Sequence, residues 1–555
     1  MSLSPSKPGR ATIAVALRWS VSQMDGWRAM VLAVFMLVLT PLLVIAGSFL
    51  KPQPELWQHL QQTMLAELLF NTLWLVLGVP IGTLLLGVSL AWLTATCVFP
   101  GRRIFSWALL LPMAIPAYVL AFVFIGLFDF AGLVPTQLRS WFGPSLPLPE
   151  IRSVGGVIVV LSLSLFPYVY LLARNAFLTQ GMRAMEAAQS LGCNRWQGFF
   201  RVALPMARPW IAGGVLLVLM ETLADFGTVS TFNYDTFTTA IYKMWFGFFS
   251  LEGAAQLSSF LVLIALVLLI AEQTQRRRRR YTPGGRSGQA VERLVLSGWH
   301  RWMASGYCTL VLIISFLLPI GQLAMWATES FGEEFDERYY AWIGHSLLLG
   351  LLAALLIAAV SLALGYARRR HHDPLTKWLV WFSGLGYALP GSVLAVGIFI
   401  PLARLDNLLI DTVDHWLGWS PDAIFRDTVA IMLLAYLIRF LAVGHKAIDS
   451  AMQRIRPSID EAARLLGTGG LTLLRRIHLP IVSSGLATAL TLVFVDVMKE
   501  MPITLMTRPF GWDTLAVKIF ELTSEGEWER AAVPALFLVA AGLLPIMLLI
   551  RKMER

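Results

Sequence analysis

The sequence predicts an all-α integral membrane protein, with about twelve transmembrane helices arranged as two parallel six-helix repeats, and three observations carry that expectation. The first is composition: of 555 residues, 57% are hydrophobic and only 14% charged, whereas a soluble globule is roughly 45–50% apolar and about 25% charged. The second is a series of apolar runs, each long enough to cross about 30 Å of hydrocarbon, which takes roughly 20 residues. The third is an ungapped internal match at an offset of 275 residues, between EAAQSLGCNRWQGFFRVALP at 186–205 and EAARLLGTGGLTLLRRIHLP at 461–480. A long-period repeat of this kind fixes the architecture before any single residue is read.

The apolar runs fall near 29–50, 68–96, 105–128, 153–173, 207–227 and 254–272, and again near 305–327, 344–367, 376–402, 428–447, 482–500 and 530–551. Several contain proline (Pro80, Pro112, Pro116, Pro167, Pro390), which membrane helices tolerate. The division expected is a first domain over 1–272, a basic linker over 273–303 and a second domain over 304–555. The linker carries five consecutive arginines, Arg276 to Arg280, followed by Pro283-Gly284-Gly285. Six spans per half make both repeats enter the membrane in the same direction. They are then related by an axis along the membrane normal, with any shared pathway at their interface.

Net charge is +10, but the basic residues are scattered between apolar spans, which reads as membrane topology rather than nucleic-acid binding. With the N-terminus in the cytoplasm, most Lys and Arg fall on the inner side and most Asp and Glu toward the outer side. Both termini are then cytoplasmic. The start of the chain lacks a small-residue cleavage pattern and reads as an uncleaved anchor. Cys97, Cys193 and Cys308 have no metal-ligand spacing and read as reduced structural thiols.

In both halves the repeated stretch joins the fourth and fifth spans on the cytoplasmic side. Glu186-Ala187-Ala188 and Glu461-Ala462-Ala463 open a short helix, Gly192 and Gly467 sit where a C-cap turns the chain, and Pro205 and Pro480 suit entry to the next helix. Glu186 and Arg201 are fifteen residues apart, as are Glu461 and Arg476, which suggests an ion pair bracing the two arms.

The pattern E-A-A, three residues, G, twelve residues, L-P resembles the EAA loop of the membrane subunits of binding-protein-dependent ABC importers. The resemblance implies the type I ABC importer permease fold in a fused two-domain form, in a bacterial inner membrane. It further implies that each loop docks into a groove on a cytoplasmic ABC ATPase, present in two copies, and that an extracytoplasmic binding protein delivers the cargo. Glu221 to Thr228 (ETLADFGT), Ala388 to Ala395 (ALPGSVLA), and Lys499 to Pro502 with Arg508-Pro509-Phe510 and Asp513 to Val517 resemble the iron(III) subclass. Thiamine, phosphonate and polyamine permeases share the scaffold. No G-x-x-x-x-G-K-[ST] phosphate loop occurs, so this chain is expected to be no enzyme and to hold no cofactor, with ATP and Mg²⁺ on the partner ATPase. Lipid is an expected partner and nucleic acid is not.

Two acidic pairs lie inside apolar spans just after the repeated stretches: Glu221 with Asp225, and Asp496 with Glu500, aligned at the same offset of 275. The i, i+4 spacing puts each pair on one helix face, and intramembrane charges are costly unless they meet a cavity or a partner. The fifth span of each half is therefore expected to line the pathway with these acids. A structural role, paired with Lys499 or threonines, is the alternative. Proton relay in a secondary transporter is a rival use of the same four residues.

Overall fold

The computed structural model describes residues 25–50, 54–144, 146–181, 188, 190–277, 293–334, 337–371, 373–418 and 421–554. The first half contains α1 (Gly26–Gly47), α2 (Leu65–Thr96), α3 (Ala117–Phe128), α4 (Val154–Ala176), α5 (Leu204–Ala224) and α6 (Leu251–Arg277). The second contains α7 (His300–Ser330), α8 (Glu337–Arg370), α9 (Gly391–Leu417), α10 (Val429–Met452), α11 (Leu479–Lys499) and α12 (Trp528–Glu554). Among the described residues eleven stretches are long and apolar enough to cross a membrane, the one at α3 counted over Ala117–Phe142 with the short helix Leu133–Phe142 that follows, and α6 carries a shorter apolar stretch, Leu251–Val267. The helix ends refine the expected division: α6 runs to Arg277, beyond 272, and α7 begins at His300, before 303.

The third span of each half is broken, where the apolar run predicted one continuous helix. In the first half a short helix, Arg102–Ala108, and a 3₁₀ turn, Leu111–Ala114, precede α3. In the second, Pro374–Phe382 and Leu385–Ala388 precede α9. Pro116 and Pro390 are the reason: the residues before them, Ile115 and Leu389, are forced into extended backbone, so the chain turns before helix resumes. The fifth spans begin alike too, each entered through one π-helical turn, Phe199–Ala203 and Leu474–His478.

Close packing within each half rests on small residues. A Cβ on Gly78, Gly82 or Gly87 of α2 would strike Ile158, Ser162 or Val169 of α4, so these glycines let the two helices meet at backbone distance. Gly444 of α10 does the same against Ile357 and Ser361 of α8.

The two larger of three hydrophobic cores among the described residues do not coincide with the two halves. One joins buried residues of α2 to α5 with Cys308 and Leu323 of α7 and Leu538 and Val539 of α12. The other joins buried residues of α8 to α11 with Val31, Val38 and Ile45 of α1 and Leu257 and Leu261 of α6. Each half thus places its first and last helices around the middle of the other. Pro41 of α1 sits so close to α9 that a Cβ on Gly397 would lie 2.8 Å from it, and Trp326 of α7 bears the same relation to Gly126 of α3, at 2.6 Å. A further tie comes from the end of the linker, where Leu294–Val295 pairs in parallel with Cys97–Val98 just after α2.

Candidate functional site

The second repeated stretch forms a hairpin. A short helix, Pro457–Leu465, ends at Gly467, whose φ of +77° is the left-handed conformation glycine adopts without strain. The Thr468 amide donates back to the Ala463 carbonyl at 2.9 Å, and the chain continues through Gly470–Leu473 into α11. In the first copy Gly192 is likewise left-handed, at +86°, and the Cys193 amide donates to the Ala188 carbonyl at 3.0 Å. Glu186 and Ala187 lie outside the described residues.

The faces of the second short helix differ. Asp460 and Ala463 are buried, whereas Glu461, Ala462, Leu465 and Leu466 face outward, the two leucines at 89% and 85% exposure. Leu471 and, in the first copy, Leu191 are also exposed, and Ala188 is buried. The second hairpin therefore offers bare leucines at its tip, and the first offers Leu191.

The expected Glu461–Arg476 brace is corrected. Both side chains are exposed and no ion pair joins them. The fastening lies one residue earlier, on the buried face: Asp460 accepts from Arg369 Nε at 2.6 Å and meets His478 Nε2 at 2.8 Å. Arg369 also donates to the carbonyls of Met452 and Ile455. Burial by itself would raise the Asp460 carboxyl, but the hydrogen bonds from Arg369 and His478 and their charges outweigh it and hold the group below its ordinary value. Arg201 is exposed on the π turn that leads into α5.

From the hairpins, α5 and α11 run 21 residues each, about 31 Å at 1.5 Å per residue, to breaks at Asp225 and Glu500. The four expected acids meet there, on a cavity of about 300 Å³ between the halves. Its wall includes Glu221, Asp225, Asp496 and Glu500, the cations Arg439 and Lys499, and the phenols of Tyr118, Tyr168 and Tyr387.

Each acid has a distinct setting. Asp225 ends α5 and accepts from Thr228 Oγ1 at 2.9 Å and the Val229 amide at 3.1 Å, so it also satisfies a backbone donor in the first turn of the next short helix, Gly227–Thr231. Glu500 occupies the equivalent break, accepts from the Ile503 amide at 3.2 Å and pairs with Arg439 Nε at 3.3 Å. That pair is an ionic contact without hydrogen-bond alignment. Glu221 accepts from the Tyr387 hydroxyl of the other half at 3.0 Å. Asp496 lies one turn before Lys499, whose Nζ donates to the Met113 carbonyl across the interface at 2.9 Å. The four acids line one cavity, and Asp225 and Glu500 also hold backbone.

Among the described residues no three His, Cys, Asp or Glu side chains converge closely enough to hold a metal ion. With carboxylates outnumbering cations, the cavity favours positive charge without chelating it.

Sequence reading missed Arg439 and the tyrosines. Arg439 had a signal, as a cation in the middle of the apolar run 428–447, where charge needs a partner. Tyr387 and Tyr168 had none, because a tyrosine in a membrane span is unexceptional until its neighbours are known.

Comparison with known proteins follows the same division. The family described as binding-protein-dependent transport system inner membrane component matches twice, over residues 83–281 and 346–555. The Fe(3+)-transport system permease protein FbpB 2 of Haemophilus influenzae is 29% identical over 495 residues, 87% of this chain and 90% of that protein. The ferric transport system permease protein FbpB of Actinobacillus pleuropneumoniae is 23% identical over 500 residues, 85% of this chain and 69% of its own length. The molybdenum transport system permease protein ModB of Escherichia coli is 28% identical over 225 residues, 39% of this chain but 94% of its own length. With both halves matched, this chain belongs to the inner membrane component family of binding-protein-dependent transport systems.

Proposed function

We infer that this chain forms the whole membrane pathway of an ATP-driven importer for ferric iron, with both termini and both hairpins in the cytoplasm. An extracytoplasmic binding protein would release cargo at the opposite face, and two copies of a separate ATPase would seat on the hairpins. The observation that carries the reading is mechanical. Each hairpin passes without interruption into the helix that ends at a cavity acid, α5 at Asp225 and α11 at Glu500. Drawing the hairpins together or apart therefore moves the cavity walls as rigid rods. The ties across the interface, Tyr387 to Glu221 and Lys499 to Met113, are the contacts such a motion would break and remake. Exposed Leu465, Leu466 and Leu191 supply apolar surface for a helix-in-groove contact.

Iron as cargo is supported by two relatives that span both halves and are named for ferric transport. A wall of carboxylates and phenols agrees with it, since hard oxygen groups attract a hard trivalent cation. The test is uptake of radiolabelled ferric iron in cells lacking this chain. Uptake should be lost, return with the wild-type chain, and fail to return with the Gly192→Pro/Gly467→Pro hairpin variant. Iron uptake unchanged by the deletion, with loss of molybdenum uptake instead, would refute the cargo. Uptake independent of any ATPase and abolished by an uncoupler would refute the motor.

A further inference from the structure

We propose that the first half carries a binding site for the phosphodiester of an anionic phospholipid, built from Arg174, Arg102, Arg103 and Arg293. Arg174 closes α4 and is 9% exposed, and its Nε has no hydrogen-bond partner. Arg102 and Arg103 open the short helix after α2, and Arg102 Nη1 donates to the Thr94 carbonyl at 3.2 Å. Arg293 is delivered by the linker, which joins this end of the fold through the Leu294–Val295 bridge to Cys97–Val98.

These charges are close enough to act on one another. Burial first, and then Arg293, Arg174 and Arg103, push Arg102 below the ordinary guanidinium value. None of the four has an ion-pair partner among the described residues. A buried guanidinium beside others, without an anion, is an unfavourable arrangement, and an anion between them relieves it.

The second half shows the contrast. At the offset of 275 the position of Arg174 is held by Asp449, and Asp449 accepts from Arg368 at 2.9 Å, so that end of α10 neutralises itself. At the matching end of α4 no acid among the described residues pairs with Arg174.

The surroundings select a lipid as the source of the anion. The cluster lies where α2 and α4 end and α7 begins, and Trp299 and Trp302 are exposed beside it, as tryptophans are at the headgroup level of a bilayer. Ile104 on the short helix and Met303 and Leu310 on α7 continue the exposed surface as apolar groups, which suits acyl chains. Planar guanidinium forks match phosphate oxygens, and basic groups at the membrane surface attract anionic lipid. The site depends neither on the cargo nor on the orientation of the chain.

The experiment uses the full-length chain, purified in detergent and stripped of lipid, with phosphatidylglycerol, phosphatidylcholine or inorganic phosphate added. Native mass spectrometry and Tm are the readouts. Phosphatidylglycerol should bind about tenfold more tightly than phosphatidylcholine and raise the Tm. Arg103→Gln/Arg293→Gln, at exposed positions that leave packing intact, should remove most of that preference, and Arg174→Gln should abolish it. Lys446→Gln/Arg454→Gln, the same charge loss at the same end of the second half, should leave it unchanged. Equal binding of the two lipids, or wild-type preference in the Arg103/Arg293 variant, would overturn the proposal. It would equally be overturned if inorganic phosphate alone gave the full shift.

Discussion

The hydroxyl of Tyr387, in the second half of the chain, donates a 3.0 Å hydrogen bond to the carboxylate of Glu221 in the first. Hydrogen bonds to charged groups contribute about 1.5–3 kcal/mol, and this one crosses the surface along which the halves meet. Tyr387→Phe should therefore lower the Tm of the purified chain, whereas Glu221→Gln, whose amide oxygen still accepts, should retain most of the stability. An unchanged Tm in Tyr387→Phe would show that the contact is not a tie.

Lys499 donates to the Met113 carbonyl across the interface and lies one turn after Asp496 on its own helix, near enough for the two charges to act on each other. Lys499→Met removes the donor to the Met113 carbonyl, and an acceptor left unsatisfied costs about 1–3 kcal/mol; it also leaves Asp496 without the nearby charge. Combining it with Asp496→Asn should be milder than the sum of the single changes, because the stranded charge goes too. Strict additivity in denaturation of the four variants would mean that the two residues do not interact.

Gly391 opens α9 against the Arg439–Glu500 pair. A Cβ there would stand 2.6 Å from Glu500 Oε1 and 2.9 Å from Arg439 Nη1, inside any real contact distance. Gly391→Ala should displace the pair into the cavity and reduce transport at least tenfold, with the protein still folded. Normal uptake would show that the pair can yield without consequence.

Much of this was legible in the sequence. Hydropathy located the spans, and the offset of 275 paired Asp225 with Glu500 and Gly192 with Gly467, because a repeat preserves local geometry. What it could not supply was partnership between distant residues. Asp460 sits beside Glu461 in the sequence and looks equally charged, yet helix periodicity turns one inward to Arg369 and the other to solvent. The breaks at Pro116 and Pro390 were marked by the prolines themselves, but apolar runs long enough for a continuous span concealed them. The exchange of α1 and α7 between the cores left no local signal, since either half offered an equally apolar surface.

That exchange has a consequence for assembly. Val31 and Ile45 of α1 lie in the core of the second half, and Cys308 and Leu323 of α7 in that of the first. Residues 1–285 or 286–555 expressed alone should each leave these surfaces uncovered and be degraded or aggregate. Expressed together they should co-purify as one particle in detergent. A stable, monodisperse first half by itself would contradict the shared cores.

Asp460 ties the second hairpin to α8 through Arg369 and to α11 through His478, so the hairpin's order should depend on the charge of one carboxylate. Its folded value lies below the ordinary 3.8, because the hydrogen bonds and charges of Arg369 and His478 outweigh burial. A depressed carboxylate binds fewer protons when folded than when unfolded, so its contribution is fully present above about 3.8 and is lost as pH falls through the lower folded value. At neutral pH, Asp460→Asn should cost the hairpin about 1.5–3 kcal/mol, the range for a hydrogen bond to a charged group. Hydrogen exchange of the amides over 457–465, corrected for intrinsic rate, would report it. The difference between wild type and variant should persist from pH 8 to pH 5, since the Asp460 carboxylate is charged in both states there. It should close only in acid below 3.8. A difference that already closed near pH 6 would assign the pH response to another group and remove Asp460 as the fastening.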